Sequence, residues 1–396
     1  MTMTRTAPLD FGFGDDEAML RDVARKMLDE RLPADRLRSL VAAEPEPVYD
    51  RGERAPWDEA LWAEIVELGW TGLAVGEDEG GSDISLGGVA GMVEEVGRHA
   101  LPSPLITTLS ASLVLKAAGG AAAKSVLERI AAGATASLAI TDERGSWEPE
   151  DAPLTARADA DALVLQGAAR FVQDAFKADL LIASARLGDA VVLCAVEKDA
   201  AGLTLEADHI HDLTRDQASA HFDGVRVSVD AVLSRDAASA LRAAWPGLLV
   251  LVSADLCGAS EQLLQMTVEY AKDRVQFDRP IGFFQAVKHP LVDTMVDIDR
   301  ARSLLYHACA EVDAGSANAE TAARMAKSAA SDAAAYISDR SIQLHGGIGF
   351  TWEYVLHIFF KRNLHNQVLL GDGVHQRRKL ADLMIGPIGA ASNAKG

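Results

Sequence analysis

The residues best suited to chemistry lie in a glycine-rich stretch near the C-terminus. An amide at Gln343 precedes the pair Gly346-Gly347, and an aromatic at Phe350 follows them. Paired glycines after a helical pattern let the backbone approach another group closely, because no Cβ stands in the way. An ordinary helix C-cap would explain the glycines alone, but the full pattern QxHGGxGF is longer and rarer than a cap requires.

A second group of candidate residues surrounds a proline turn upstream. It reads R-x-QF-x-x-PI-x-x-FQ and contains Arg274, Phe277, Pro280 and Gln285. Arginine is permanently charged and can bind a diphosphate through two parallel hydrogen bonds, whereas a purine accepts a flat apolar face and an amide. Taken alone, the pattern would also fit a proline turn with a structural arginine.

The two patterns, in this order, resemble the signatures of the acyl-CoA dehydrogenase family of flavoproteins. The resemblance implies that Arg274 pairs with the pyrophosphate of FAD, that Phe277 packs near the nucleotide and that Gln285 contacts its adenylate side. It also implies that residues 343–347 lie against the adenine and pyrophosphate half of an FAD held mostly by a neighbouring subunit. Upstream, GWTGLAVGEDEGGSDISLGGVAGMVEEVGR is similar to the family's N-terminal pattern.

The resemblance implies further flavin contacts in the middle of the chain. It assigns three residues of SLAITDERGS to the lining of the flavin ring: Leu138, Ile140 and Thr141. Ser146 stands near a serine of the family, although Asp142-Glu143-Arg144 replaces the family's Glu-Pro-Gly. In GAARFVQDAFKAD, Phe171 stands where an aromatic usually stacks on the flavin and Gln173 where a threonine usually sits.

The catalytic carboxylate of the family has no counterpart in this sequence. The family removes the α proton of an acyl-CoA with a glutamate while the β-hydrogen leaves as hydride to the flavin. A gapless count from Phe350 places that glutamate at Leu370, and the position used by some other members falls at about Leu248. The nearest acid is Asp372, for which capping a turn between two glycines is the simpler explanation.

Two hypotheses follow from the missing carboxylate. In the first, the chain is an FAD-dependent acyl-CoA dehydrogenase that acts alone with an unusual base such as Asp372. In the second, it is a non-catalytic, cofactor-sharing subunit whose partner supplies the base. The ending LLGDGVHQRR resembles bacterial dehydrogenases of bulky acyl-CoAs such as steroid side chains, some of which are heterotetramers. The implied partners are an acyl-CoA, electron-transfer flavoprotein, and identical or related subunits in a homotetramer or heterotetramer.

Three regions must position these residues. Apolar residues at helical spacing predict an N-terminal helical domain over 1–135, with a loop at 43–56. Short runs rich in Val, Leu and Ile predict a central antiparallel β-sheet or barrel over 136–230. The helical period then returns over 231–396. The family resemblance implies that these helices form a C-terminal four-helix bundle. The predicted class is therefore α+β, multidomain, in the arrangement of the acyl-CoA dehydrogenases.

Composition narrows the classes of partner and compartment. A net charge of −20 over 396 residues argues against nucleic acid or an anionic membrane as a partner. The three cysteines form no CxxC pair and the histidines lie at no metal-ligand spacing, so no metal is expected and a reducing cytoplasm fits. We expect neither a signal peptide nor a membrane span. No GxGxxG follows a strand, which favours FAD over NAD.

Overall fold

The computed structural model describes residues 14–42 and 57–386. The loop predicted at 43–56 lies outside the described residues. The helices in the described chain are α1 (Asp15–Arg31), α2 (Ala34–Val41), α3 (Glu59–Glu67), α4 (Leu86–Arg98), α5 (Leu105–Ala118), α6 (Gly120–Ala131), α7 (Ala237–Asp273), α8 (Gln285–Asp313), α9 (Ala319–His345), α10 (Leu356–Val368) and α11 (Gly373–Ile385). The strands are β1 (Ala136–Ala139), β2 (Leu154–Asp159), β3 (Ala162–Gln173), β4 (Leu180–Leu187), β5 (Ala190–Glu197), β6 (Leu203–Ala207), β7 (Gln217–Ser228), β8 (Val232–Ser234), β9 (Val275–Gln276) and β10 (Arg279–Pro280).

The predicted α+β architecture is confirmed, with helices before and after one large sheet. The chain divides into two compact units. Unit 1 comprises Met1–Leu37, Ser85–Leu101 and Leu249–Gly396, and unit 2 comprises Arg38–Ile84 and Pro102–Leu248. Each unit is discontinuous in sequence, whereas the boundaries predicted at 135 and 230 are continuous, so those boundaries stay a prediction.

Unit 2 contains an eight-stranded sheet in the order β6-β7-β3-β2-β4-β5-β8, with β1 beside β4. Its core is formed by inward-facing apolar residues such as Leu165, Ala183 and Phe222. The sheet is mixed, because β4 runs parallel to both β1 and β2, whereas an antiparallel sheet was predicted. Alternation of apolar residues marks a strand and its buried face, but it carries no information about the direction of the neighbouring strand.

Unit 1 is mainly helical, and buried or half-buried ion pairs connect its helices. Arg362 of α10 donates from Nε to Asp255 of α7 at 2.9 Å, and both side chains are almost fully buried. Arg302 of α8 donates to Glu94 of α4 at 2.8 Å. Glu94 belongs to the N-terminal pattern that resembles the family, and its partners show that it serves helix packing.

The longest helix, α7, is the one helix among the described residues that is long and apolar enough to cross a membrane. However, 78% of its most apolar window is buried inside the protein. Burial of this kind is typical of a core helix, whose apolar residues contact protein instead of lipid. The apolar character of α7 is therefore explained by its burial in the protein core.

Candidate functional site

The first candidate segment is a short hairpin that follows α7. Strands β9 and β10 pair antiparallel, with Gln276 opposite Arg279, so Phe277 and Asp278 form a two-residue turn. Both have positive φ, 54° and 60°, as a type I′ turn requires. Such turns favour Asn-Gly, and the left-handed conformation costs other residues roughly 1–2 kcal/mol each. The Phe277 side chain is nevertheless 84% exposed, so intrachain packing does not explain this strained aromatic.

The surface around this hairpin is suited to an anionic, aromatic ligand. Arg274 is exposed, and no residue of the described chain accepts a hydrogen bond from its guanidinium. Arg279 lies 4.3 Å from the Phe283 ring centroid, and Phe284 packs edge-on against Phe277. The long helix α8 starts at Gln285 without a side-chain cap, so its first backbone N–H groups and its dipole favour an anion.

The second candidate segment lies at the end of α9. Gly346 terminates the helix with φ 62° and ψ −141°, a conformation that residues with a Cβ rarely adopt. Gly347 differs, because its φ is not positive and a Cβ built there would meet no atom within 4 Å. Neither backbone strain nor packing within the described chain thus requires glycine at 347. The open space at 347 leaves room for close approach of a ligand or partner, and the exposed Gln343 lies beside the same break.

His345 links the two segments within unit 1. Its ring stacks on Tyr270 at a centroid distance of 4.2 Å, and the Tyr270 carbonyl accepts a hydrogen bond from the Arg274 backbone at 2.8 Å. Burial lowers the pKa of His345, so the ring is neutral at pH 7 and stacks without a desolvated charge. Two of the places predicted to contact FAD in unit 1 therefore lie next to one pair of packed rings. Arg274 and Gly346-Gly347 flank this stacked pair.

The sheet residues assigned to the flavin also come together, within unit 2. The Arg170 amide donates to the Thr141 carbonyl at 2.9 Å, and Ser137 Oγ donates to the Gln173 carbonyl at 2.5 Å. These bonds join β1, which carries Leu138 and leads into Ile140, to the end of β3. Phe171 is 42% exposed with φ 57°, a strained conformation for an aromatic, which is a reason to expect function there.

Ser146 serves its own loop in this structure. Its hydroxyl donates to Asp151 at 2.7 Å, and its amide donates to Asp142 at 3.0 Å. The sequence Asp142-Glu143-Arg144 thus builds a turn of its own in place of the family's Glu-Pro-Gly.

Position 370, where the family's base is expected, has an unusual backbone. Leu370 is only 8% exposed and has φ 58°, so a leucine occupies a left-handed turn. Asp372 is exposed, and its side chain accepts from the His375 amide at 2.7 Å as the N-cap of α11. An N-cap side chain of this kind satisfies a backbone N–H that has no partner within the helix. The geometry therefore favours the capping explanation for Asp372 over a role as base.

Sequence reasoning missed a buried lysine beneath this turn. Lys327 of α9 is fully buried, and its Nζ donates to Ser331 Oγ at 2.8 Å, Gln367 O at 2.9 Å and Gly371 O at 3.0 Å. Burial lowers its pKa to about 7, although the carboxylates of Asp372 and Asp332 oppose the shift. The signal that could have identified Lys327 in the sequence is its position within the apolar, alanine-rich face of a helix.

A buried ionic cluster behind Gln173 was missed as well. Lys177 Nζ lies 2.9 Å from Asp174 and 3.1 Å from Asp216, and all three side chains are buried. Burial raises the pKa of Asp216 to about 6, while Lys177 opposes that rise. Asp174 and Lys177 follow the strained Phe171 closely in sequence, and Asp216, just before β7, connects them to that strand's start.

Comparison with known proteins gives consistent matches along the chain. Residues 14–134 match the family model "Acyl-CoA dehydrogenase, N-terminal domain", and residues 250–385 match "Acyl-CoA dehydrogenase, C-terminal domain". The chain is 32% identical over 349 residues to Acyl-CoA dehydrogenase IpdE2 of Mycobacterium tuberculosis, covering 88% of this chain and 91% of that protein. It is 26% identical over 388 residues to Benzylmalonyl-CoA dehydrogenase of Aromatoleum aromaticum, covering 94% and 98%. A solved structure of the Tcur3481-Tcur3483 steroid ACAD superposes with a TM-score of 0.83 at 28% identity, covering 94% and 98%.

Proposed function

The chain belongs to the acyl-CoA dehydrogenase family of FAD-dependent oxidoreductases, and from that premise we propose that it is one subunit of a heteromeric enzyme that oxidises a bulky acyl-CoA. The chain contributes contacts to FAD, and a related partner supplies the base. The observation that carries this proposal is at position 370, where a buried leucine replaces the carboxylate and the nearest acid, Asp372, caps a helix.

The residues present fit FAD. Arg274 offers an unpaired guanidinium to the pyrophosphate, the uncapped start of α8 offers backbone N–H groups, and Gly347 leaves room for close approach. In unit 2, the residues predicted to line the flavin ring are Leu138, Ile140, Thr141, Phe171 and Gln173. When bound, FAD supplies hydride acceptance from the β carbon of the acyl group.

The chain's own residues then hold and orient FAD and the acyl-CoA, but they do not remove the α proton of the acyl group. An apolar Leu370 excludes water from its surroundings and accepts no proton. A positioned general base is typically worth ~10²–10⁴-fold in rate, so a site without one is far slower than the family reaction requires. A partner subunit with a carboxylate at the equivalent position removes this deficit.

The similar proteins support the substrate class and the heteromeric state. IpdE2 and the steroid ACAD are acyl-CoA dehydrogenases, and the name Tcur3481-Tcur3483 joins two components. We extend both features to this chain: a bulky acyl-CoA in lipid breakdown by β-oxidation, and a tetramer with a related subunit. We propose electron-transfer flavoprotein as the electron acceptor. A cytoplasmic location is part of the same proposal, and it agrees with three buried free thiols at Cys194, Cys257 and Cys309.

The decisive experiment compares the chain alone with the chain purified together with a dehydrogenase-like partner. Flavin bleaching by acyl-CoAs is followed by stopped flow in each preparation. We expect bleaching only with the partner. The matched variant is Asp372→Asn, because asparagine caps a helix as well as aspartate and so keeps α11 intact.

Rapid bleaching by the chain alone that Asp372→Asn abolishes would replace the proposal with the alternative, an enzyme catalytic alone with Asp372 as its base. Rapid bleaching by the chain alone that survives Asp372→Asn would contradict both. In that case the base lies elsewhere in this chain.

A further inference from the structure

The turn between α10 and α11 is held from below by buried side chains. Its backbone carbonyls at Gln367, Leu370 and Gly371 all accept hydrogen bonds from buried donors. Lys327 Nζ serves the first and third, and Gln376 Nε2 serves the second at 2.7 Å. Carbonyls at the end of a helix have no partner within the helix, so a buried helix end needs donors of this kind.

Packing alone does not explain a lysine at position 327. A methionine would fill similar volume without the cost of removing an ammonium group from water. The structure offsets that cost with three acceptors, which match the three hydrogens of Nζ: Ser331 Oγ, Gln367 O and Gly371 O. The end of α10 also carries the negative pole of that helix, which favours a cation. The surroundings of position 327 therefore match the ammonium group of a lysine.

The turn it holds is strained. Leu370 has φ 58° and Gly371 φ 93°, so two consecutive residues are left-handed. The strain at Leu370 costs roughly 1–2 kcal/mol and persists only where the surroundings fix the backbone. Two carbonyls bound to one nitrogen fix it, because Gln367 and Gly371 then keep a constant separation across residue 370.

We propose that Lys327 is a positioning residue, which clamps the 367–373 turn and so sets the direction of the side chain at position 370. The inference rests on the proposed function only in taking position 370 as the one that faces the acyl group. It assigns no proton transfer to Lys327, because the side chain is buried and all three hydrogens are directed at protein acceptors.

Hydrogen exchange by mass spectrometry tests the clamp without substrate or activity. In Lys327→Met, we expect amides of residues 369–376 to exchange on the order of 10-fold faster, as a local opening free energy falls by about 1.4 kcal/mol. Lys327→Gln keeps a donor and should show a smaller increase. Lys26→Met is the matched control, because Lys26 is exposed on α1 and its removal should change nothing in the turn.

A second arm uses flavin reduction in the Leu370→Glu background. There Lys327→Met should lower kcat at least 10-fold and leave KM within about 2-fold, because the carboxylate is misdirected while acyl-CoA binding remains. Unchanged exchange of the turn in both Lys327 variants would overturn the clamp, and so would acceleration spread evenly over α9. If Lys327→Met does not fold, Lys327→Gln decides by the same criterion. If Leu370→Glu shows no flavin reduction, the placement of position 370 is wrong, while the exchange result still decides about Lys327.

Discussion

The Arg274 guanidinium is a permanent charge that no acceptor in the described chain satisfies, so a ligand or partner is its natural counterpart. Arg274→Ala should therefore weaken FAD retention by roughly 10- to 100-fold, since a hydrogen bond to a charged group is worth about 1.5–3 kcal/mol. Fluorescence titration of the deflavinated protein with FAD measures this loss. Arg378→Ala, another exposed arginine in unit 1, is the control and should leave FAD affinity unchanged. Equal loss in both variants would mean that general charge, not Arg274, attracts the nucleotide.

Substitution of each of the paired glycines by alanine should have a different effect. Gly347→Ala should leave the thermal unfolding midpoint nearly unchanged, because its Cβ meets nothing and its φ is ordinary. FAD retention should nevertheless fall. Gly346→Ala should destabilise the chain by about 1 kcal/mol or more through its positive φ. If Gly347→Ala retains FAD like the unmodified protein, the open space at 347 is not a site of close approach.

Leu370→Glu should gain flavin reduction. Glutamate has a Cβ like leucine, so the left-handed turn acquires no additional backbone strain. Its pKa should be raised by the apolar surroundings, so the gain should increase with pH until the carboxyl ionises. The rate should rise on the order of 10²-fold in stopped flow. Leu370→Gln has the same shape without a base, and equal rates in the two variants would show that catalysis is not by the carboxylate.

The elements themselves were largely predictable from periodicity. The helical domain predicted over 1–135 corresponds to α1 to α6, and β8, the last strand of the large sheet, ends at Ser234 near the predicted boundary at 230. Periodicity did not resolve the short helix α2, which follows Pro33. A short helix after a proline is stabilised by tertiary contacts that local pattern does not contain.

The candidate site was only partly predictable from the sequence. Motifs identified the exposed residues such as Arg274 and Gly347, because recognition of a ligand depends on residue type at fixed spacing. They could not identify Lys327 or the cluster at Lys177, whose roles arise from backbone carbonyls and acids brought in from distant positions. They also could not reveal that Leu370 is left-handed, since leucine gives no signal for that conformation.

Helix α9 should make the stability of the chain depend on pH through Lys327. The pKa of Lys327 is about 7 in the folded chain and roughly 10.4 in an unfolded chain. Below pH 7 the lysine is protonated in both states and the cost of burying the charge is complete. Between the two values the unfolded chain binds one more proton, so the free energy of unfolding rises with pH by up to about 1.4 kcal/mol per unit.

Urea denaturation at pH 6.5, 7.5 and 8.5 measures this dependence. The stability advantage of the unmodified protein over Lys327→Met should grow with pH, because methionine does not titrate. Lys26→Met should differ from the unmodified protein by a constant amount. A pH-independent difference for Lys327→Met would mean that the buried lysine keeps its proton throughout.

The molecule as a whole leaves an apolar face uncovered on unit 1. Helix α8 exposes Val292, Met295 and Val296, and two of them line a groove of about 400 Å³ together with Leu264 and Val268 of α7. An exposed contiguous apolar patch is typical of a surface that another subunit covers. The net charge of −20 acts against self-association, so such a face must bury enough area to overcome repulsion.

We therefore expect an assembly of four chains that depends on this face. Met295→Asp should leave the unfolding free energy of a single chain within about 0.5 kcal/mol, because the side chain is already half exposed, yet it should shift sedimentation towards smaller species. The control is Val229→Asp, an exposed valine of unit 2 to which we assign no interface. FAD should dissociate from Met295→Asp as the assembly dissociates, since Arg274 and Gly347 would serve the FAD of a neighbour. A stable monomer that retains FAD would contradict both the assembly and the cofactor sharing.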